Sequence, residues 1–206
     1  MVLKGTLGVT IGARGRSAIV SSVLFVAWST LVATQWWRGL DQWALGVLFV
    51  GQPITLSLTS DILGTYIWVG AVGYYLLRAR HRRQSPLIPL LGTLALAQLV
   101  RLAFPFLYYQ APPLRAELVG PFGLAEQGSY PSGHTARAFA GAATLATRSG
   151  SAQYLWLALA AATGLTRLLL GVHFVSDVIG GALLGFAAAS VMAILHARVV
   201  QPSPHD

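Results

Sequence analysis

The sequence predicts an all-α protein: an integral membrane bundle of six transmembrane helices with an additional interfacial helix. Three observations carry that expectation. Of 206 residues, 55% are hydrophobic and only 10% charged, where a soluble domain carries about 25% charge. The mean hydropathy is +0.63. Apolar windows recur along the chain near the ~20 residues a helix needs to cross hydrocarbon, and arginine gathers in alternate connections.

The first window, Ser17–Trp37, reads as a retained span. Its apolar run is about twice the 7–15 residues of a signal core, and no small-residue cleavage site follows. Gln42–Ser60 is a further apolar stretch, broken by Gly51-Gln52-Pro53 and flanked by Trp36, Trp37 and Trp43. Tryptophan prefers headgroup depth, so this segment reads as a helix lying in the interface. Spans two to six are expected at Asp61–Leu77, Leu87–Tyr108, His134–Thr147, Ala152–Leu170 and Phe174–Leu195. No repeat or low-complexity tract divides the chain, so residues 1–206 read as one transmembrane domain with a disordered tail at Gln201–Asp206.

Charge orients the bundle. With six spans, Lys4, Arg14, Arg16, Arg78, Arg80, Arg82, Arg83, Arg148 and Arg198 fall on one side, which the positive-inside rule makes cytoplasmic. The protein is then expected in the cell (plasma) membrane, multi-pass, with both termini cytoplasmic. The connection Gln110–Tyr130 faces outward. Its Pro112, Pro113, Pro121, Gly120, Gly123 and Gly128 predict an ordered, turn-rich loop, either a cover for a substrate entrance or a plain connector. The net charge of +8 is spread over short loops, so no nucleic-acid partner is expected. Without cysteine there is no disulfide, thiolate nucleophile or cysteine metal site.

The ionisable residues at the outer ends of the spans carry the candidate chemistry. His173 and Asp177 are four apart and would share a face of a helix. The aspartate can fix the histidine tautomer and leave the other ring nitrogen to attack; a buried helix-capping pair is the alternative. Arg167 offers a planar fork of donors suited to phosphate oxygens, or else snorkels to lipid headgroups. In Pro131-Ser132-Gly133-His134, Ser132 is a natural N-cap of a helix whose exposed N–H groups bind anions. Gly133 lets the backbone approach a phosphate, and His134 is placed to act as general acid; taken alone, the tetrapeptide is an ordinary turn. Arg137, one helical turn on, is either a phosphate ligand or a headgroup contact. Gly180, Gly181 and Gly185 predict close helix packing.

Pro-Ser-Gly-His followed by Thr166-Arg167-x5-His173-x3-Asp177 strongly resembles the second and third signature motifs of the type 2 phosphatidic acid phosphatase superfamily. The third motif there usually begins Ser-Arg. In span order and motif placement the resemblance runs from about Leu40 to Leu195. It implies that His173 is a nucleophile forming a phosphohistidine, with Asp177 orienting it. His134 would protonate the leaving group and then activate water. Arg167, Ser132 and Gly133 would hold the phosphate, without a metal or other cofactor. The family's first motif, Lys-x6-Arg-Pro, is incomplete here: Arg101 stands where the lysine would, and Tyr108 occupies the arginine position. Arg115, at the wrong spacing, and Arg137 are candidates to supply the missing cation.

The expected function is therefore a membrane lipid phosphatase, a metal-independent phosphoric-ester or diphosphate hydrolase acting at the outer face. Undecaprenyl pyrophosphate of cell-wall metabolism is the first candidate partner, then phosphatidylglycerol phosphate and phosphatidic acid. Two alternatives stay open: a lipid phosphotransferase using the same histidine, and a non-catalytic lipid-binding or transport protein with a lapsed first motif. Oligomeric state is not legible in the sequence.

Overall fold

The computed structural model describes residues 13–79, 86–114, 128–147 and 150–200. The described residues form helices and turns only. α1 is Ala13–Ala33, α2 Arg38–Leu48, α3 Ile54–Asp61, α4 Ile67–Ala79, α5 Leu87–Ala103, α6 Gly133–Ala146, α7 Gln153–Leu169 and α8 Val175–Val200. Three stretches among them are long and apolar enough to cross a membrane: Ala13–Ala33, Leu87–Phe106 and Val175–Arg198. The 14-residue α6 and 17-residue α7 fall short of that length.

The first helix is Ala13–Ala33 where Ser17–Trp37 was expected, the third expected span ends its α-helix at Ala103 before Tyr108, and the largest difference lies ahead of the second span. Gln42–Ser60 is not a single interfacial helix. Gly51, at φ +96°, takes a left-handed conformation open mainly to glycine, and Pro53 then precedes α3 in extended backbone. The segment after this break belongs to the next helix. α3 passes into a π-helical turn, Ile62–Tyr66, and on into α4 with helical dihedrals at both junctions. The rod containing the second expected span thus begins at Ile54 and not at Asp61. Only α2 remains as a separate short helix.

α6 is the central helix and packs against α5, α7 and α8. Its sequence, rich in alanine and glycine, lets neighbouring backbones come close, as small residues do between membrane helices. A Cβ on Gly185 would lie 2.7 Å from the backbone of Ala136 and Ala140, so the α6–α8 contact requires glycine there. The fully buried Trp68 of α4 lies over Gly141 and joins Leu90, Ala138, Leu145 and Ala160 in a core cluster. Large apolar side chains meanwhile face outward, among them Val20, Val23 and Val26 on α1 and Leu76 and Leu77 on α4. That surface suits hydrocarbon better than water.

The helix order brings the C-terminal ends of α1, α5 and α7 and the N-terminal ends of α6 and α8 to one end of the bundle. Trp28 donates to the Ser176 carbonyl at 3.1 Å, and Ser29 shares a 2.8 Å hydrogen bond with Tyr130. At the opposite end Ser17 lies 3.2 Å from Ser190.

Candidate active site

The turn between α7 and α8 holds the first half of the site. Gly171 has φ +64°, and its N–H donates to the Leu168 carbonyl at 2.9 Å. This glycine turns the chain sharply enough to leave His173 ahead of α8. The histidine–aspartate pair therefore does not share a helical face as the spacing suggested. His173 sits in the turn and Asp177 in the first turn of α8, with Nδ1 and Oδ2 3.5 Å apart. Oδ2 also accepts the Phe174 N–H at 2.8 Å, and Oδ1 accepts from Gln110 Nε2 at 3.2 Å. Both His173 and Asp177 are buried. With Nδ1 turned toward the carboxylate, Nε2 is the ring nitrogen suited to attack.

The second half sits on the α6 N-terminus. Ser132 occupies the N-cap position in extended backbone but makes no side-chain cap; its hydroxyl accepts from Thr135 at 3.0 Å instead. The Ser132 N–H donates to the Asp177 carbonyl at 3.1 Å, so the two motif turns are bonded directly to each other. Gly133 is walled by guanidiniums: a Cβ there would lie 3.2 Å from Arg101 Nε and 3.4 Å from Arg137 Nη1. Arg101 and Arg167, in the last turns of α5 and α7, are each 8% exposed. Burial of that degree disfavours snorkelling to lipid headgroups. Arg167 donates to Ser60 at 3.3 Å.

Arg137 is turned mainly toward protein. It donates to Gln98 Oε1 at 3.0 Å, Thr65 Oγ1 at 3.2 Å and the Gly64 carbonyl at 3.3 Å. Three of a guanidinium's five donors are thus engaged by protein, two bracing the π-turn and one tied to α5 through Gln98. Arg115 lies outside the described residues. Tyr108, at the position of the first motif's arginine, donates to Gln110 Oε1 at 3.1 Å and so steadies the amide that reaches Asp177.

Three polar residues here were not singled out from the sequence. Asp61 lies 3.1 Å from His134 Nε2. Gln110 contacts Asp177. Asp41, in α2, accepts the Ser176 N–H at 2.9 Å and the Ser176 hydroxyl at 2.6 Å, fastening α2 to the first turn of α8. Burial pushes the Asp41 carboxyl above its ordinary pKa, partly offset by those hydrogen bonds. Burial likewise raises the Tyr130 phenol, which packs edge-on against Phe104 and Tyr108 behind the Ser-Gly-His turn. For Asp41 and Asp61 the usable signal was a carboxylate in or beside an apolar segment, which needs a partner.

The connection ahead of the motif is tied at both ends. Ser129 N–H donates to the Gln110 carbonyl at 2.7 Å, and Leu114 N–H to the Gly171 carbonyl at 3.1 Å. The stretch 115–127, expected to be either a substrate cover or a plain connector, lies outside the described residues. Among the described residues no group of three or more His, Asp or Glu gathers as a metal-ligating cluster.

Sequence comparison decides the lineage. The family model of the PAP2 superfamily matches residues 86–201. The chain belongs to the PAP2 superfamily. Both motif turns, Arg101 and Arg167 fall within the PAP2 match, whereas Asp41 and Asp61 precede it. No curated protein matches the sequence. Among solved structures, the fold is similar to that of the first transmembrane PAP2 type phosphatidylglycerolphosphate phosphatase from Bacillus subtilis. The TM-score is 0.72 at 16% identity, over 91% of this chain and 99% of that one. It is also similar to Aquifex aeolicus LpxE, with a TM-score of 0.60 at 22% identity, over 75% of this chain and 95% of that one.

Proposed function

We propose that this PAP2 protein is an integral-membrane phosphatase that hydrolyses a lipid phosphate monoester or pyrophosphate through a phosphohistidine at His173. One observation carries the reading. The turn bearing His173 and Asp177 is hydrogen-bonded to the turn bearing Ser132, Gly133 and His134, with the buried Arg101 and Arg167 at the same end of the bundle. A nucleophile, an acid and anion-binding donors gathered on one site make up the equipment of in-line phosphoryl transfer.

In the first step His173 Nε2 bonds to phosphorus as the bond to the leaving oxygen breaks. His134 gives that oxygen a proton. Asp177 holds the Nδ1 side of the attacking ring and balances the positive charge it acquires. Water then attacks the phosphohistidine, passes a proton to His134 and releases phosphate with His173 restored. Arg167, Arg101, the Ser132 hydroxyl and the Gly133 N–H at the start of α6 stabilise the phosphoryl oxygens. Those cations perform the charge neutralisation that a metal performs in other phosphoryl-transfer sites, so the reaction is proposed to be metal-independent. Six spans and an outward-facing site complete the reading, with the lipid tail remaining in the bilayer.

Undecaprenyl pyrophosphate is the first candidate substrate. Phosphatidylglycerol phosphate follows, the neighbour from Bacillus subtilis being a phosphatase of that lipid, and then phosphatidic acid. The test is phosphate release from these three lipids in detergent with chelator present. The expected result is release from at least one, retained with chelator and reduced at least about 10³-fold in His173→Ala, since the nucleophile carries the covalent route. Release that requires divalent metal, or that survives His173→Ala, contradicts the proposal.

A further inference from the structure

Four contacts converge on one short segment that precedes the family match. Ser60 accepts from Arg167. Asp61 meets His134 Nε2 at 3.1 Å. Gly64 packs against the His134 ring so tightly that a Cβ would lie 2.5 Å from Cδ2. Gly64 and Thr65 accept from Arg137. The last two lie in the π-helical turn, a rare local widening of a helix that is frequent at functional sites. This turn shapes the wall behind His134, and Asp61, the last residue of α3, stands immediately before it.

We infer that Asp61 is the positioning residue of His134: its carboxylate holds the Nε2 proton, so that Nδ1 delivers the proton to the leaving oxygen. The inference rests on the phosphatase reading and adds a role which that reading does not require. Two physical reasons support it. A carboxylate accepting from one imidazole nitrogen fixes the tautomer and orientation of the ring. The second reason is charge. His134 has to carry a proton on each nitrogen before it can act as acid, in a site already holding Arg101, Arg137 and Arg167 at close range. Arg137 and Arg167 also lie near enough to Asp61 to interact with it electrostatically. Asp61 is the negative charge beside the ring that offsets them. When the P–O bond breaks, the Nδ1 proton moves to the leaving oxygen and the ring becomes neutral with Nε2–H still on Asp61. The attacking water returns a proton to Nδ1 in the second step.

This role predicts a dependence on the leaving group. An alkoxide leaves only with a proton, whereas p-nitrophenolate departs without one. The experiment compares kcat/KM for phosphatidic acid and for p-nitrophenyl phosphate in the wild type, Asp61→Asn and His134→Ala. Asp61→Asn should lower the alkyl-ester value about 10- to 100-fold, a part of the roughly 10²- to 10⁴-fold that general acid catalysis contributes, and the p-nitrophenyl value less than about threefold. His134→Ala should show the same selectivity more strongly. If Asp61→Asn does not stay monodisperse, Asp61→Glu carries the same comparison with its carboxylate displaced by one methylene. Equal losses on both substrates, or no loss on either, overturn the role of Asp61 while leaving the phosphatase reading intact. A wild type that hydrolyses neither substrate overturns the role of Asp61, and the phosphatase reading falls with it only if undecaprenyl pyrophosphate and phosphatidylglycerol phosphate also go unhydrolysed.

Discussion

His134 is held from two directions, by the Asp61 carboxylate at Nε2 and by the bare backbone of Gly64 against its ring edge. Gly64→Ala should therefore displace the imidazole, because the added methyl would sit 2.5 Å from Cδ2. We expect its phosphatase rate to fall by about 10²-fold, within the range that general acid catalysis contributes. Its thermal unfolding should shift little if the ring can swing aside; an unchanged rate would show that His134 is not held in its working position by this contact. The motif residues were legible in the sequence because their spacing is short and their chemistry specific. Asp61 was not, because its partner is 73 positions away and only the fold joins them. Arg137 illustrates the opposite limit. Its type and proximity to His134 left phosphate or a lipid headgroup as its ligand, but the π-turn takes two of its donors and Gln98 a third, and no periodicity in the sequence announces a π-turn.

At the scale of the elements, α2 and α8 are joined through Asp41 and Ser176. Asp41→Ala leaves the buried Ser176 N–H and hydroxyl without their acceptor and should destabilise the detergent-solubilised protein by about 1–3 kcal/mol. Asp41→Asn keeps both contacts with the hydroxyl reversed in role, and should cost less. The sign of the pH effect follows from the raised carboxyl. The native state binds this proton more tightly than the unfolded chain, so stability falls as pH rises from the ordinary carboxylate range through the native pKa. Thermal melts across that range should show the slope in wild type and a reduced slope in Asp41→Asn. An identical slope in both would remove Asp41 as its source. The Gln42–Ser60 stretch shows why boundaries were harder to read than motifs. Gly51 and Pro53 mark a break in either interpretation, and hydropathy alone does not say to which neighbour Ile54–Ser60 belongs. Packing of Ser60 against Thr166 and Arg167 assigns it to the rod that carries Asp61.

Over the whole molecule, four arginines among the described residues lie toward the end holding the motif turns: Arg38, Arg101, Arg137 and Arg167. Arg14, Arg16, Arg78 and Arg198 lie toward the other end. The second group is the described part of the cluster expected to face the cytoplasm. A chain without cysteine makes sidedness direct to measure. Tyr109→Cys, at an exposed site beside the motif turns, should react with a membrane-impermeant maleimide in intact cells. Leu77→Cys, exposed at the other end, should react only after permeabilisation. The reverse pattern would invert the proposed topology. The apolar outer surface and the small-residue seams around α6 were legible from composition, since both answer to the bilayer as solvent.

The central claim is that His173 becomes phosphorylated. Its most direct test is to mix the protein with radiolabelled lipid phosphate, quench in alkali within milliseconds to seconds, and look for label on the polypeptide. The account predicts a protein-bound phosphate that survives alkali, is lost in acid, maps to the peptide containing His173 and is absent from His173→Ala. Turnover without any such label, or label that persists in His173→Ala, would contradict it.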